Sequence, residues 1–457
     1  MFKCRQKTTP QLLPSVLLII SILLSKVRGH EMAGMDDTDD LTFPDIVDFG
    51  PKMTHWLLSV FFLLLLSSFS TSLAFSSKTH ASVLVQTIIT IYAFFEKFLL
   101  RFPDNDGIEN RVSRCFGWIF LSISITTLFF GSLASGTGLL SKYKKINSLS
   151  SKLGTKVLVY IHRALSLVLI WIGWIKVCLA PVALFGFCRG GSTGQCIAHG
   201  IMGTSFVIYG FVYSMVLVVP WIRLANYSQD HVDSWIIMIW GCVNTFTEGP
   251  HGDSNWSHGD FQHTSMGIIW WCAGLLGVFL SRNKQRTFVP SLVFIFTGWA
   301  MMEHVQLLII STKVHYLFGL VLVSGGVCRI IEISFLFKDR LHLDKIYSFQ
   351  YLPPFTLVCS GILFMGANEE QLNLVLRIGA DHSAYSLVLL AASFLVYFWI
   401  ICCLNIYVRF VEREKAGFLD SYESNLVREN SENFELSEGE LDDLNDNIDD
   451  HEEDISV

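Results

Sequence analysis

The sequence predicts an all-α, polytopic helical membrane protein with about eleven transmembrane segments. Three observations lead there. Of the 457 residues 51% are hydrophobic and 16% charged, and the mean hydropathy is +0.46. The apolar residues fall in repeated runs of about 17–25, the length a helix needs to cross a bilayer. The runs lack the apolar/polar alternation of barrel strands, so each must satisfy its own backbone as helix.

Taken in order, residues 1–29 read as a secretory signal peptide, with basic Lys3, Arg5 and Lys7 before an apolar core from Leu12 to Leu24. The alternative is an uncleaved anchor, because Lys26-Val-Arg-Gly29 is a poor small-residue cleavage site. An acidic luminal segment, 30–53, follows. The expected spans are 54–76, 80–100, 115–139, 157–181, 198–221, 234–247, 265–281, 288–311, 314–337, 353–366 and 383–408. Two of these, 234–247 and 353–366, are short enough to be tilted pieces or incomplete crossings. The spans divide into a first bundle, 54–224, and a second, 225–410. Beyond them, 411–457 is dominated by Asp and Glu and reads as a disordered cytosolic tail, open to regulatory partners.

Charge sets the expected topology. With the first span starting outside, alternate loops carry Lys142, Lys144, Lys145, Lys152 and Lys156, then Arg282, Lys284 and Arg286, then Lys338, Arg340 and Lys345, then Arg409, Arg413 and Lys415. These are cytosolic by the positive-inside rule. The net charge of −7 is an average that the tail dominates. Loop 187–197 falls outside, where Cys188 and Cys196 can oxidise to a disulfide. The sequon at Asn255 also falls outside. This places the protein in the endoplasmic reticulum, vacuole or plasma membrane, with the bilayer as its partner and no nucleic-acid signature. No phosphate loop, nucleophile triad or Cys-x-x-Cys site is present.

Polar residues in so apolar a chain need a reason. The densest set runs from Asn244 to Trp271, with Glu248, His251, Asp253, His258, Asp260, Gln262 and His263. At 1.5 Å per residue, His263 lies roughly 27 Å above the inner end of its span and His304 roughly 24 Å above the start of the next. His315 begins the span after that, so three consecutive segments bring histidines to one depth, with Glu303 beside them. His263, His304, His315 and Asp260 are therefore candidate ligands of a divalent metal ion. Asp260 and Gln262 are placed to orient the imidazoles. A structural polar network locking the helices together and a proton relay are the alternative uses of the same residues. Arg329 and Glu332 read as a helical i,i+3 pair, and Lys97 and Lys176 as snorkelling residues near span ends.

His55, His80, His162 and His199 each lie near the start of a span. With Thr54-His55-Trp56, His80, Gln86, His162 and Trp171-Ile-Gly-Trp174, the first half resembles the di-haem transmembrane cytochrome b family of ascorbate and ferric reductases. That resemblance implies one haem b between His80 and His162. Its second ligand pair is incomplete: the third span begins Asn110-Arg-Val-Ser-Arg-Cys-Phe-Gly-Trp118, with no histidine to face His55, which leaves His199 as the substitute. A cytochrome-like scaffold that has lost its cofactor accounts for the same pattern.

Longer motifs carry a second resemblance. They include Gly194-Gln-Cys-Ile-Ala-His199, Trp240-Gly-Cys-Val-Asn-Thr-Phe-Thr-Glu248, Gln262-His-Thr-Ser-Met-Gly-Ile-Ile-Trp-Trp-Cys-Ala-Gly274, Ser311-Thr-Lys-Val-His315 and Ser348-Phe-Gln-Tyr-Leu-Pro-Pro-Phe355. On these the chain is similar to the fungal YTP family of multi-span membrane proteins. The resemblance implies an architecture without implying a reaction. Function is therefore expected at the histidine and carboxylate cluster, with a b-type electron carrier and a metal or proton transporter as the alternatives.

Overall fold

A computed structural model describes residues 49–99, 111–136, 153–188, 193–223, 228–247, 256, 258–304, 306, 308–336 and 346–416. The signal segment, most of the acidic segment, Glu248, His251, Asp253, Asn255 and the tail beyond 416 lie outside the described residues. No strand occurs among those described.

The principal helices are α1 (Phe49–Phe75), α2 (Thr79–Phe98), α3 (Arg111–Ser135), α4 (Thr155–Phe185), α5 (Thr193–Val218), α6 (Gln229–Thr247), α7 (His258–Leu280), α8 (Val289–Met302), α9 (Ile309–Phe335), α10 (Ser348–Met365), α11 (Glu369–Arg377) and α12 (His382–Ala416). All eleven expected spans coincide with a helix. Nine of the principal helices are long and apolar enough to cross a membrane. The exceptions are α6, α8 and the nine-residue α11. Helix α6 runs 19 residues, beginning before the expected 234–247, because Asp230 and Asp233 lie inside it, buried. An apolar window stops at such residues; the fold keeps them helical by supplying partners. Helix α8 is 14 residues long and stops before Glu303 and His304, and the chain re-enters α9 from an extended Leu308.

Successive helices pack into two main cores, with a smaller one of Val218, Val219, Leu404 and Val408. Leu63, Ile89, Phe120 and Leu169 centre the first, between α1 and α4. Val207, Val293, Phe318, Leu322, Val358 and Leu363 centre the second, built on α5 and α7 to α10. The sequence division at 224 groups α5 with the first bundle, yet its buried Val207 and Tyr213 pack in the second core. Close approach explains why. Gly203 of α5 lies against the Gly361 carbonyl of α10, at 2.6 Å from where a Cβ would stand. Without aqueous exclusion to drive helices together in lipid, such small-residue contacts supply the packing. The outward faces are apolar, for example Leu84, Ile88, Leu387, Val388 and Phe398, as lipid-facing positions require.

The α4–α5 connection defines one end of the bundle. Cys188 and Cys196 meet there as a disulfide, with Cα atoms 5.5 Å apart. The Cys188 N–H donates to Glu370 of α11. This is called the disulfide end below.

Candidate functional site

Four histidines from four elements gather at the disulfide end of the second core. His199 comes from the first two turns of α5, His263 from the second turn of α7, His304 from just past α8 and His315 from the second turn of α9. Their ring centroids form a row: His199 to His315 is 5.8 Å, His315 to His304 is 5.9 Å and His304 to His263 is 5.4 Å. His199 stacks on Phe364 at 4.6 Å, Phe318 lies 4.9 Å from Phe364, and Phe206 lies 5.9 Å from Phe318. This aromatic layer closes the row from the middle of the bundle.

Hydrogen bonds determine which nitrogen each ring offers. A carbonyl oxygen only accepts, so a ring nitrogen facing one carries the proton. His199 Nδ1–H donates to the Gln195 carbonyl at 2.8 Å, and His315 Nδ1–H to the Ser311 carbonyl at 2.9 Å. Gln262 spends its amide N–H on the Ala300 carbonyl at 2.7 Å, which turns its Oε1 to the Nδ1–H of His304. In each neutral ring the bare lone pair is therefore on Nε2. His199 Nε2 is buried and has no hydrogen-bond partner. Burial, with smaller contributions from charge on His263 and His199, brings His304 down to about 4, so its ring is neutral at physiological pH.

The row joins the three expected histidines and adds His199, which the sequence offered only as a substitute haem ligand at a helix start. Asp260 lies half-buried in the first turn of α7, three residues before His263. Among the described residues, no three His, Cys, Asp or Glu side chains converge as a ready-made metal cage. The arrangement is a line of rings.

His80 and His162 are not brought together. His80 is exposed on α2. His162 is wholly buried, with Nε2 3.0 Å from Ser82 Oγ and Nδ1–H donating to the Thr127 carbonyl at 3.1 Å. Both of its ring nitrogens are engaged within the bundle. His55 instead lies 3.5 Å from Glu96, which also pairs with Lys176. Lys176 is thus buried at 7% exposure and does not snorkel: a carboxylate inside the bundle holds it more strongly than the interface would. Lys97 does reach outward, over the Trp118 ring at 5.2 Å.

The opposite end of the second core holds an ionic cluster. Arg329 donates to Glu332 at 2.7 Å, to Asp230 at 3.0 Å and to the Tyr213 hydroxyl at 2.6 Å. Tyr213 in turn donates to Glu332 at 2.7 Å, and Gln350 reaches the other Glu332 oxygen at 3.4 Å. The expected i,i+3 pair is real, but Asp230 and Tyr213 complete it from helices about 100 residues away in sequence.

Among the described residues, nine helices long and apolar enough to cross a membrane, with outward apolar faces and internal polar clusters, define a polytopic, all-helical membrane protein. The chain belongs to the YTP1-like family. The family described as "Protein YTP1-like, C-terminal" matches residues 172–408, which include all four histidines of the row and the whole Arg329 cluster. The chain is 59% identical to Protein YTP1 of Saccharomyces cerevisiae over 429 residues, 92% of this chain and 93% of that protein. It is 26% identical to an uncharacterised membrane protein of Schizosaccharomyces pombe over 268 residues, 48% of this chain and 52% of that protein. No solved structure matches it.

Proposed function

We propose that this multi-pass membrane protein binds a divalent transition-metal ion in the histidine row. The topology that the loop charges imply puts the row on the luminal or external side and the C-terminal tail in the cytosol. One observation carries the reading. Three imidazoles, His199, His304 and His315, have Nδ1–H tied to an oxygen acceptor, leaving Nε2 as the offered lone pair. Ligating histidines are held in this way, because the outer hydrogen bond selects the tautomer and aims the ring. Two imidazoles sharing one zinc ion, with Zn–N of about 2.1 Å, have centroids roughly 5 Å apart. The neighbouring pairs at 5.4–5.9 Å are close to that spacing and close onto an ion with small ring movements. Asp260 and His263 supply further donors at the loop side, and water completes the coordination. The aromatic layer beneath makes the row a terminus, which favours binding over conduction.

Cobalt(II) substitution tests this. Purified full-length protein, titrated with Co²⁺, is expected to develop the visible absorption of a four-coordinate nitrogen site, which Zn²⁺ then displaces. His304→Gln and His315→Gln abolish the band. A wild-type protein that takes up no cobalt, or variants with an unchanged spectrum, overturns the proposal.

A further inference from the structure

A cavity of about 210 Å³ opens on the side of the second core, between α5, α6, α7 and α8. Five of its twelve lining residues are aromatic: Phe206, Tyr209, Trp240, Trp270 and Phe294. Trp270 Nε1–H is already spent on Thr297 Oγ1 at 2.7 Å, so this indole offers the cavity only its ring. Among the lining residues one is ionisable as an acid at ordinary pH, Asp233, which is 7% exposed. The Tyr209 side chain lines the cavity with it.

Charge around Asp233 is unbalanced. Three carboxylates, Asp230, Asp233 and Glu332, stand against two guanidiniums: Arg329 makes ion pairs with Asp230 and Glu332, and Arg286 interacts electrostatically with the same two. Asp233 is the one of the three that faces the cavity. A buried carboxylate stays ionised only with a cation beside it. We infer that the cavity binds a small organic ammonium ion carrying an aromatic or branched apolar group, with the ammonium on Asp233.

The lining chooses this chemistry over a bare metal ion. Hard cations take six or more oxygen ligands, and here one carboxylate stands with the hydroxyls of Ser205, Tyr209 and Thr297. Ring faces, by contrast, attract an ammonium group electrostatically, most strongly where water is excluded. Size agrees, since a cavity of about 150 Å³ holds benzene, so a benzene ring with a short ammonium arm fits this one. Access is lateral: the lining residues Ile236 and Trp240 are 50% and 37% exposed on the lipid-facing side of α6. An amphiphilic amine reaches such a mouth by partitioning into the bilayer.

The test is equilibrium binding of phenethylammonium to the full-length protein in nanodiscs, with empty nanodiscs subtracted and 2-phenylethanol as the uncharged isostere. Saturable amine binding is expected, at least ten-fold tighter than the alcohol. Asp233→Asn should lose at least ten-fold, while Asp233→Glu stays closer to wild type. Ser205→Trp plugs the mouth from an exposed position, leaves the carboxylate intact, and should abolish binding without a change in thermal stability. Equal binding of the alcohol, unchanged binding in Asp233→Asn, or no saturable binding in folded wild-type protein each overturns the inference.

Discussion

The second core carries a polar cluster at each end, and the two are wired in opposite senses. Around Arg329 the hydrogen bonds point inward: guanidinium, two carboxylates and the Tyr213 hydroxyl satisfy one another. Along the histidine row the Nδ1–H groups of His199, His315 and His304 are spent on the Gln195 and Ser311 carbonyls and on Gln262, and the bare lone pair of each of these three rings falls on Nε2. A closed network holds helices together. An open one keeps its acceptor capacity for something else. The first spends its bonding groups on one another; the second leaves the buried Nε2 of His199 without a hydrogen-bond partner.

Three substitutions break or sharpen that contrast. The largest effect is expected from Arg329→Met, which strands Asp230 and Glu332 as unpaired buried carboxylates. Removing one partner of a buried ion pair costs about 3–5 kcal/mol. The folded fraction in detergent, read by size exclusion and thermal melting, should fall sharply; an unchanged melting temperature would show that the cluster does not hold the helices. The corresponding change in the row, Gln262→Leu, is expected to behave differently. It removes the acceptor that aims His304, and such an outer hydrogen bond is worth about 10–100-fold in metal affinity. Cobalt affinity should drop by that factor while the melting temperature of metal-free protein stays near wild type. A large loss of metal-free stability instead would make the row a structural lock like its counterpart.

The smallest effect is expected at Asp381, outside both clusters. Its carboxylate accepts the Ala384 N–H at 3.0 Å at the start of α12, and the backbone N–H groups there hold it below the usual aspartate range. A depressed carboxyl contributes above its ordinary value and loses that contribution as pH falls through its lowered one. Amide exchange at Ala384 should quicken in that acidic window, and in Asp381→Ala at neutral pH, with no shift in melting temperature.

Helix positions were largely legible in the sequence, and the reasons for the exceptions are specific. Apolar runs located the nine helices able to cross a membrane among the described residues, but α6 extends past its run because Asp230 and Asp233 are buried beside Arg329 and Tyr209, partners on other helices. Lys176 read as a snorkelling residue because Glu96, 80 positions away, is invisible at its own span end. In the candidate site, His263, His304 and His315 were legible from depth alone, since rise per residue is a local quantity. His199 was not, because depth does not say which helix lies beside which.

By itself, then, the sequence determined that this protein is a bundle of membrane helices, roughly where most of them run, and that His263, His304 and His315 share a level. Hydropathy and helical rise are properties of contiguous residues, so they suffice for that. Only the tertiary structure decided lateral neighbours: that α5 packs on α10 through Gly203 and Gly361, bringing His199 into line with His315. It also decided proton placement, because the carbonyls and amide facing each Nδ1 select the tautomer. The row at the disulfide end is thus a sequence feature in its depth and a tertiary feature in its chemistry.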